Sequence, residues 1–88
     1  RWRATAASYM SVEAVHVAMD RGLAALRERR LDDAIEAYRL ALALAPDLAE
    51  AHSLAGLALV HAGRVDEALR HLGRAVELEP GQPGFRFN

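Results

Sequence analysis

The sequence predicts an all-α protein: a right-handed α–α superhelix, a solenoid of stacked helix–turn–helix repeats with no strand. Three observations carry this. With Pro46 laid on Pro80, 34 residues further on, the 88-residue chain matches itself: Gly22 falls on Gly56, Leu23 on Leu57, Ala24 on Ala58, Arg30 on Arg64, Asp32 on Asp66, Ala34 on Ala68, Ala41 on Ala75 and Leu44 on Leu78. Self-similarity at a fixed period of this size marks a stack of equivalent units. Within each copy, apolar residues recur at three- and four-residue spacing, the pattern of an amphipathic helix. Hydrophobic residues make up 52% of the chain, and many of them are alanine, which favours helix and permits close helix–helix approach.

Each element follows from local chemistry. Residues 1–10 (RWRATAASYM) precede the first clear repeat and read as an arm or the remnant of an earlier repeat's second helix, with Trp2 and Tyr9 as apolar anchors. Ser11 can cap a helix, with Glu13 in the favourable first turn, so the first helix is expected over Val12–Arg29. Its apolar side is Val15, Ala18, Met19, Gly22, Leu23 and Leu26. A mid-helix glycine costs roughly 1 kcal/mol relative to alanine, so Gly22 points to a tight packing contact. Asp32 and Asp33 suit the start of a second helix, which presents Ala34, Ile35, Tyr38, Ala41, Leu42 and Leu44 and stops at Pro46. Asp47 followed by Glu50 resembles a capping box and opens a third helix, expected over Asp47–Ala62 and ended by Gly63. Asp66 and Glu67 open the fourth, which runs to Glu79, with Asp66 and Arg70 one turn apart as an ion pair on a solvated face. The tail, GQPGFRFN, reads as an extension or the start of a truncated third repeat, with Phe85 and Phe87 apolar enough to dock. The units are therefore 1–10, 11–46, 47–80 and 81–88.

Composition narrows the function. All 11 basic residues are arginine, which reads as a nucleotide-composition bias of the source genome, and the net charge of −1 argues against electrostatic nucleic-acid binding. With no cysteine there is no disulfide framework and no thiolate metal site. Charges interrupt every apolar run before it reaches the roughly 18 residues of a membrane span. The chain begins with Arg1 rather than methionine and is expected to be a piece of a longer, cytoplasmic protein. No catalytic constellation is visible: His52 and His61 lack the i, i+4 spacing of a helical metal pair, no serine sits in a Gly-x-Ser-x-Gly elbow, and there is no glycine-rich phosphate loop. The expectation is a non-enzyme without metal or cofactor.

The joint registration of glycine, two alanines and proline resembles the tetratricopeptide repeat. The matching residues are Ala55, Gly56, Leu59, Ala68, Leu72, Ala75 and Pro80 in the second copy and Gly22, Ala25, Ala34, Tyr38, Ala41 and Pro46 in the first. Two departures stand out. The aromatic usual early in the first helix is Ala18 in one copy and His52 in the other, and the small residue before the glycine is Arg21 in the first copy.

The resemblance implies that the first helix of each unit lines a concave groove. Carried over, the groove positions are His16, Met19, Leu23, Leu26 and Arg27 from the first unit and Glu50, Ser53, Leu57, Val60 and His61 from the second. The lysine and asparagines with which chaperone-binding members grip a terminal carboxylate are replaced here by Met19, Leu23 and Leu57, so that clamp is missing and the groove reads as apolar. Leu23 and Leu57 can equally be core between stacked units. The function this implies is a module that binds an apolar or amphipathic segment of a protein or peptide partner, with no nucleic acid or membrane involved. The alternative is a structural self-association element, a homodimer closed through the outer face of the fourth helix, or an accessory domain of a larger enzyme.

Overall fold

The structure, a computed structural model, describes residues 2–79, with side chains from residue 12 onward. The expectations for Trp2, Tyr9, Phe85 and Phe87 as packing side chains lie outside the described residues. Four helices make up the chain: α1 (Trp2–Arg27), α2 (Leu31–Leu44), α3 (Ala49–His61) and α4 (Val65–Leu78). There is no strand among the described residues. Helix α1 packs on α2 and α3 on α4, and α2 joins the pairs through its contact with α3.

The largest difference from expectation is α1. Ser11 does not cap it; the helix runs straight through that position from Trp2. The 34-residue register explains why. Val12 occupies the place held by Pro46 and Pro80 in the later turns. Proline ends a helix by removing an N–H and clashing with the preceding turn; valine does neither, so the backbone continues unbroken.

The other helix ends are set locally. After α1, Arg29 takes a positive φ of 63°, and its register partner after α3 is Gly63 with φ 80°. Both turns close the same way: the N–H of Arg30 reaches the carbonyl of Ala25 at 2.8 Å, and that of Arg64 reaches Leu59 at 2.8 Å. This is the left-handed helix cap that glycine adopts without strain, and in the first unit an arginine is held there instead. The capping box at Asp47 does not form. Leu48 is the residue before α3 and makes no side-chain cap, because the Asp47 carboxylate accepts from Arg74 at 3.1 Å instead. Asp66 and Arg70 make no ion pair either; Glu67 takes that role, accepting from Arg64 and from Arg39 of α2.

The core is built from small residues around two large ones. Ala25, Ala34, Ile35, Tyr38, Ala55, Ala58, Leu59 and Ala68 form one buried cluster drawn from all four helices. Val15, Ala18, Ala41 and Ala51 form a second, nearer the start of α3. Tyr38 and Leu59 are the largest fully buried side chains. Each glycine of the repeat lies under the large residue of its own second helix. A Cβ at Gly22 would come within 2.6 Å of the Tyr38 ring, and one at Gly56 within 2.6 Å of Leu72. Close helix approach at these points is therefore conditional on the missing side chain.

Candidate polypeptide-binding groove

Helix α3 is enclosed on most sides. Ala49, Ala51, Ala55, Gly56, Ala58 and Leu59 are buried. Apart from half-buried His52, what remains is one stripe of helical spacing: Glu50, half-buried Ser53 and Leu54, then Leu57, Val60 and His61. Leu57 and Val60 are 43% and 44% exposed, an uncommon position for apolar side chains on a helix otherwise so fully covered. All five residues expected in the groove from the second unit fall on this stripe.

The first unit's residues divide. His16 and Arg27 are exposed and Leu23 is half-buried, whereas Met19 and Leu26 are half-buried and lean on the core. His16, Met19 and Glu50 come together with Val15, Asp20 and Leu48 around a cavity of about 350 Å³ between α1 and α3. Asp20 and Leu48 were not anticipated there. Their placement depends on where the turn after Pro46 delivers the chain, which no local pattern reports. The Ser53 hydroxyl is buried and has no hydrogen-bond partner among the described residues.

Two of the four histidines meet between α3 and α4. His71 Nδ1 lies 3.1 Å from His52 Nδ1, and His52 Nε2 lies 2.8 Å from the Pro46 carbonyl. A carbonyl only accepts, so neutral His52 carries its proton on Nε2 and offers Nδ1 as an acceptor. His71 must then donate from its own Nδ1. The 5.3 Å separation of the ring centres shows that the rings meet almost head-on, the geometry of an N–H···N hydrogen bond. Among the described residues, no third donor joins them in a group that could hold a metal ion. In the first unit the register partners are Ala18 and Ala37. Two close-packed alanine positions both turned to histidine was the one signal in the sequence for this contact.

Burial, then the neighbouring His52, lowers the pKa of His71; Arg39 and Arg70 act in the same direction and Glu67 opposes them. The unfolded chain therefore takes up this proton at a higher pH than the folded one. The contribution to stability is complete above the ordinary histidine value of about 6.5 and is lost as pH falls from there towards the lower folded value. Urea midpoints are expected to drop between pH 7.5 and 5.5, with a flatter profile in His71→Gln. Identical pH profiles for the two proteins would show that the pair is not linked to folding.

One long ion pair joins the two units, Arg39 to Glu67 at 2.7 Å, and a second, Arg74 to Asp47 at 3.1 Å, ties α4 to the turn before α3. Both involve exposed side chains, so they set alignment more than stability. No helix among the described residues is long and apolar enough to cross a membrane.

Stacked helical hairpins that leave an apolar stripe on their first helices define a helical-repeat interaction module. The tetratricopeptide repeat model matches residues 1–49 and again residues 19–84, so the chain belongs to the tetratricopeptide repeat family, whose members are generally protein–protein interaction modules. No curated protein matches the chain.

Proposed function

We propose that this chain binds an apolar or amphipathic segment of another polypeptide along the face formed by α1 and α3. The supporting observation is the exposed stripe of α3, where Leu57 and Val60 lie open between Glu50 and His61. A groove built on rigid helices with exposed apolar anchors suits the helix-in-groove or extended mode of recognition. Glu50, His16 and Asp20 stand beside the apolar strip and favour a segment with basic or hydrogen-bonding groups at that end.

A peptide panel titrated against the protein is expected to show saturable binding for apolar and amphipathic members. Leu57→Glu should weaken it at least tenfold while leaving helicity intact, since Leu57 is already partly in water. Met19 is a poorer probe because it packs on both core clusters. Unchanged binding in Leu57→Glu would remove the stripe from the site.

A second reading is self-association. Helix α4 exposes Val65, Leu69 and Val76 at 51%, 61% and 41%, and exposed apolar surface of this kind marks association faces.

A further inference from the structure

Helices α1 and α3 run in the same direction. Val15 and Ala18 of α1 share one buried cluster with Ala51 of α3, and further along Ala25 shares the other with Ala55, Ala58 and Leu59. Equal steps along the two helices therefore reach the same level of the groove, and its charges segregate by level. At the entry of α3, Asp20 and Glu50 stand with His16 around the cavity of about 350 Å³. Half-buried Leu23 and exposed Leu57 and Val60 follow. At the far end, Arg27 and His61 are the closing residues of α1 and α3, and both are exposed. From Glu50 to His61 the stripe is about 16 Å long, at the 1.5 Å rise of each helical residue.

These charges are not used inside the molecule. Asp20, Glu50 and Arg27 make no ion pair among the described residues, whereas Arg30, Arg39, Arg64 and Arg74, on α2, α4 or the turns before them, each hold a carboxylate. Helix dipoles account for part of the pattern. Glu50 lies in the first turn of α3, and Arg27 and His61 lie in last turns, where these charges are favourable. Asp20 lies well inside α1 and gains nothing from a helix end. It brings a second carboxylate to the cavity that Glu50 lines, and a cleft with charges of one sign attracts the opposite charge.

We propose that the occupant of this groove is an amphipathic helix of a partner protein, acidic in its first turn, basic in its last and apolar between, lying antiparallel to α1 and α3. This rests on the groove reading above and names its partner. The basic last turn meets Asp20 and Glu50, the apolar face meets Leu57 and Val60, and the acidic first turn meets Arg27 and His61. The charge order is the one a free helix favours for itself, acidic at the N-terminus and basic at the C-terminus. The side chains that keep the partner helical are therefore the ones that match the groove, and they match it in the antiparallel direction alone. About three turns of helix cover the stripe. A helix with one sign of charge at both ends is repelled at one of them.

Three helical peptides of about five turns, with the same leucine-lined face, test this on the full chain. One carries glutamate in its first turn and arginine in its last, one arginine at both ends, and one glutamate at both ends. In fluorescence titrations at low salt the mixed peptide is expected to bind about five- to tenfold tighter than either of the others, since exposed pairs contribute little singly. The advantage should vanish in about 1 M salt. In Asp20→Asn/Glu50→Gln the mixed and acid-ended peptides should converge, and in Arg27→Gln the mixed and base-ended ones. All three positions are exposed, so circular dichroism should not change. A spin label on the last residue of the mixed peptide should broaden the amide signals of Glu50 and Ala51 and spare those of Val60 and His61. The opposite pattern, or bound-peptide carbon shifts that are extended rather than helical, would overturn the antiparallel helix. Equal affinities for all three peptides, weakened by Leu57→Glu, would overturn the charge order and leave the apolar groove standing. A base-ended peptide that binds best would confine recognition to the acidic end and overturn it too. No saturable binding by any of the three would sink this partner and the groove reading together.

Discussion

Tyr38→Ala is expected to destabilise the fold by about 3–5 kcal/mol, the range for removing a large aromatic side chain from a packed interior. Tyr38 has no exposed surface and shares its cluster with residues from every helix. A chain of this size has a total stability of roughly 4–13 kcal/mol, so the variant should lose a large fraction of it and melt well below the wild type. The ring supplies the effect, not the hydroxyl. The Tyr38 hydroxyl has no hydrogen-bond partner among the described residues, and burial is the main cause that raises its pKa. Tyr38→Phe should therefore lie within about 1 kcal/mol of the wild type. Urea unfolding of the three proteins decides the matter. A loss of less than about 1 kcal/mol in Tyr38→Ala would show that the ring is not what the two units close around.

Gly22→Ala is expected to destabilise as well, although alanine is the better helix former. The gain in helix propensity is about 1 kcal/mol. Against it, the new Cβ would lie 2.6–2.9 Å from three atoms of the Tyr38 ring. That ring is fully buried, so it can yield only by displacing the core, and overpacking of this kind costs about 1–3 kcal/mol. The balance is a net loss of up to about 2 kcal/mol. Gly56→Ala is the internal control. Its Cβ would meet Leu72 at the same distance and the Ala68 backbone carbonyl at 3.3 Å, but half-buried Leu72 yields more readily than the buried Tyr38 ring, so this variant should lose less than Gly22→Ala. Thermal unfolding that ranks Gly22→Ala at or above the wild type would remove the close-approach role of Gly22. In Gly22→Ala/Tyr38→Ala the clash has no partner, and the double variant should be more stable than the sum of the single losses implies.

The pattern of successes and misses has physical causes. The four helices and the tight alanine and glycine positions were legible because both follow from spacing within a few turns. Ser11 misled because a good cap does not start a helix when nothing upstream stops one; the decisive residue was Val12, where a proline was lacking. Asp47 misled for the opposite reason, since a carboxylate with capping geometry in sequence was drawn 27 positions away to Arg74. The stripe Glu50, Ser53, Leu57, Val60 and His61 was readable as a set because one face of one helix carries it. Met19 and Leu26, readable only as helix positions, are half-buried and packed against the core.

The sequence by itself determined the period, the helix pairs and the residues at which helices approach closely, because backbone sterics, hydrogen bonding and the size of a missing Cβ are local. Only the tertiary structure decided which side chains meet across the helices. Arg39 reaches Glu67, His71 meets His52, and Asp20 and Leu48 share a cavity with Glu50. A repeat register states which positions are equivalent. It does not state the offset and tilt of one unit on the next, which are set by the summed packing of Tyr38, Leu59 and the alanines around them, and every contact between units depends on that sum.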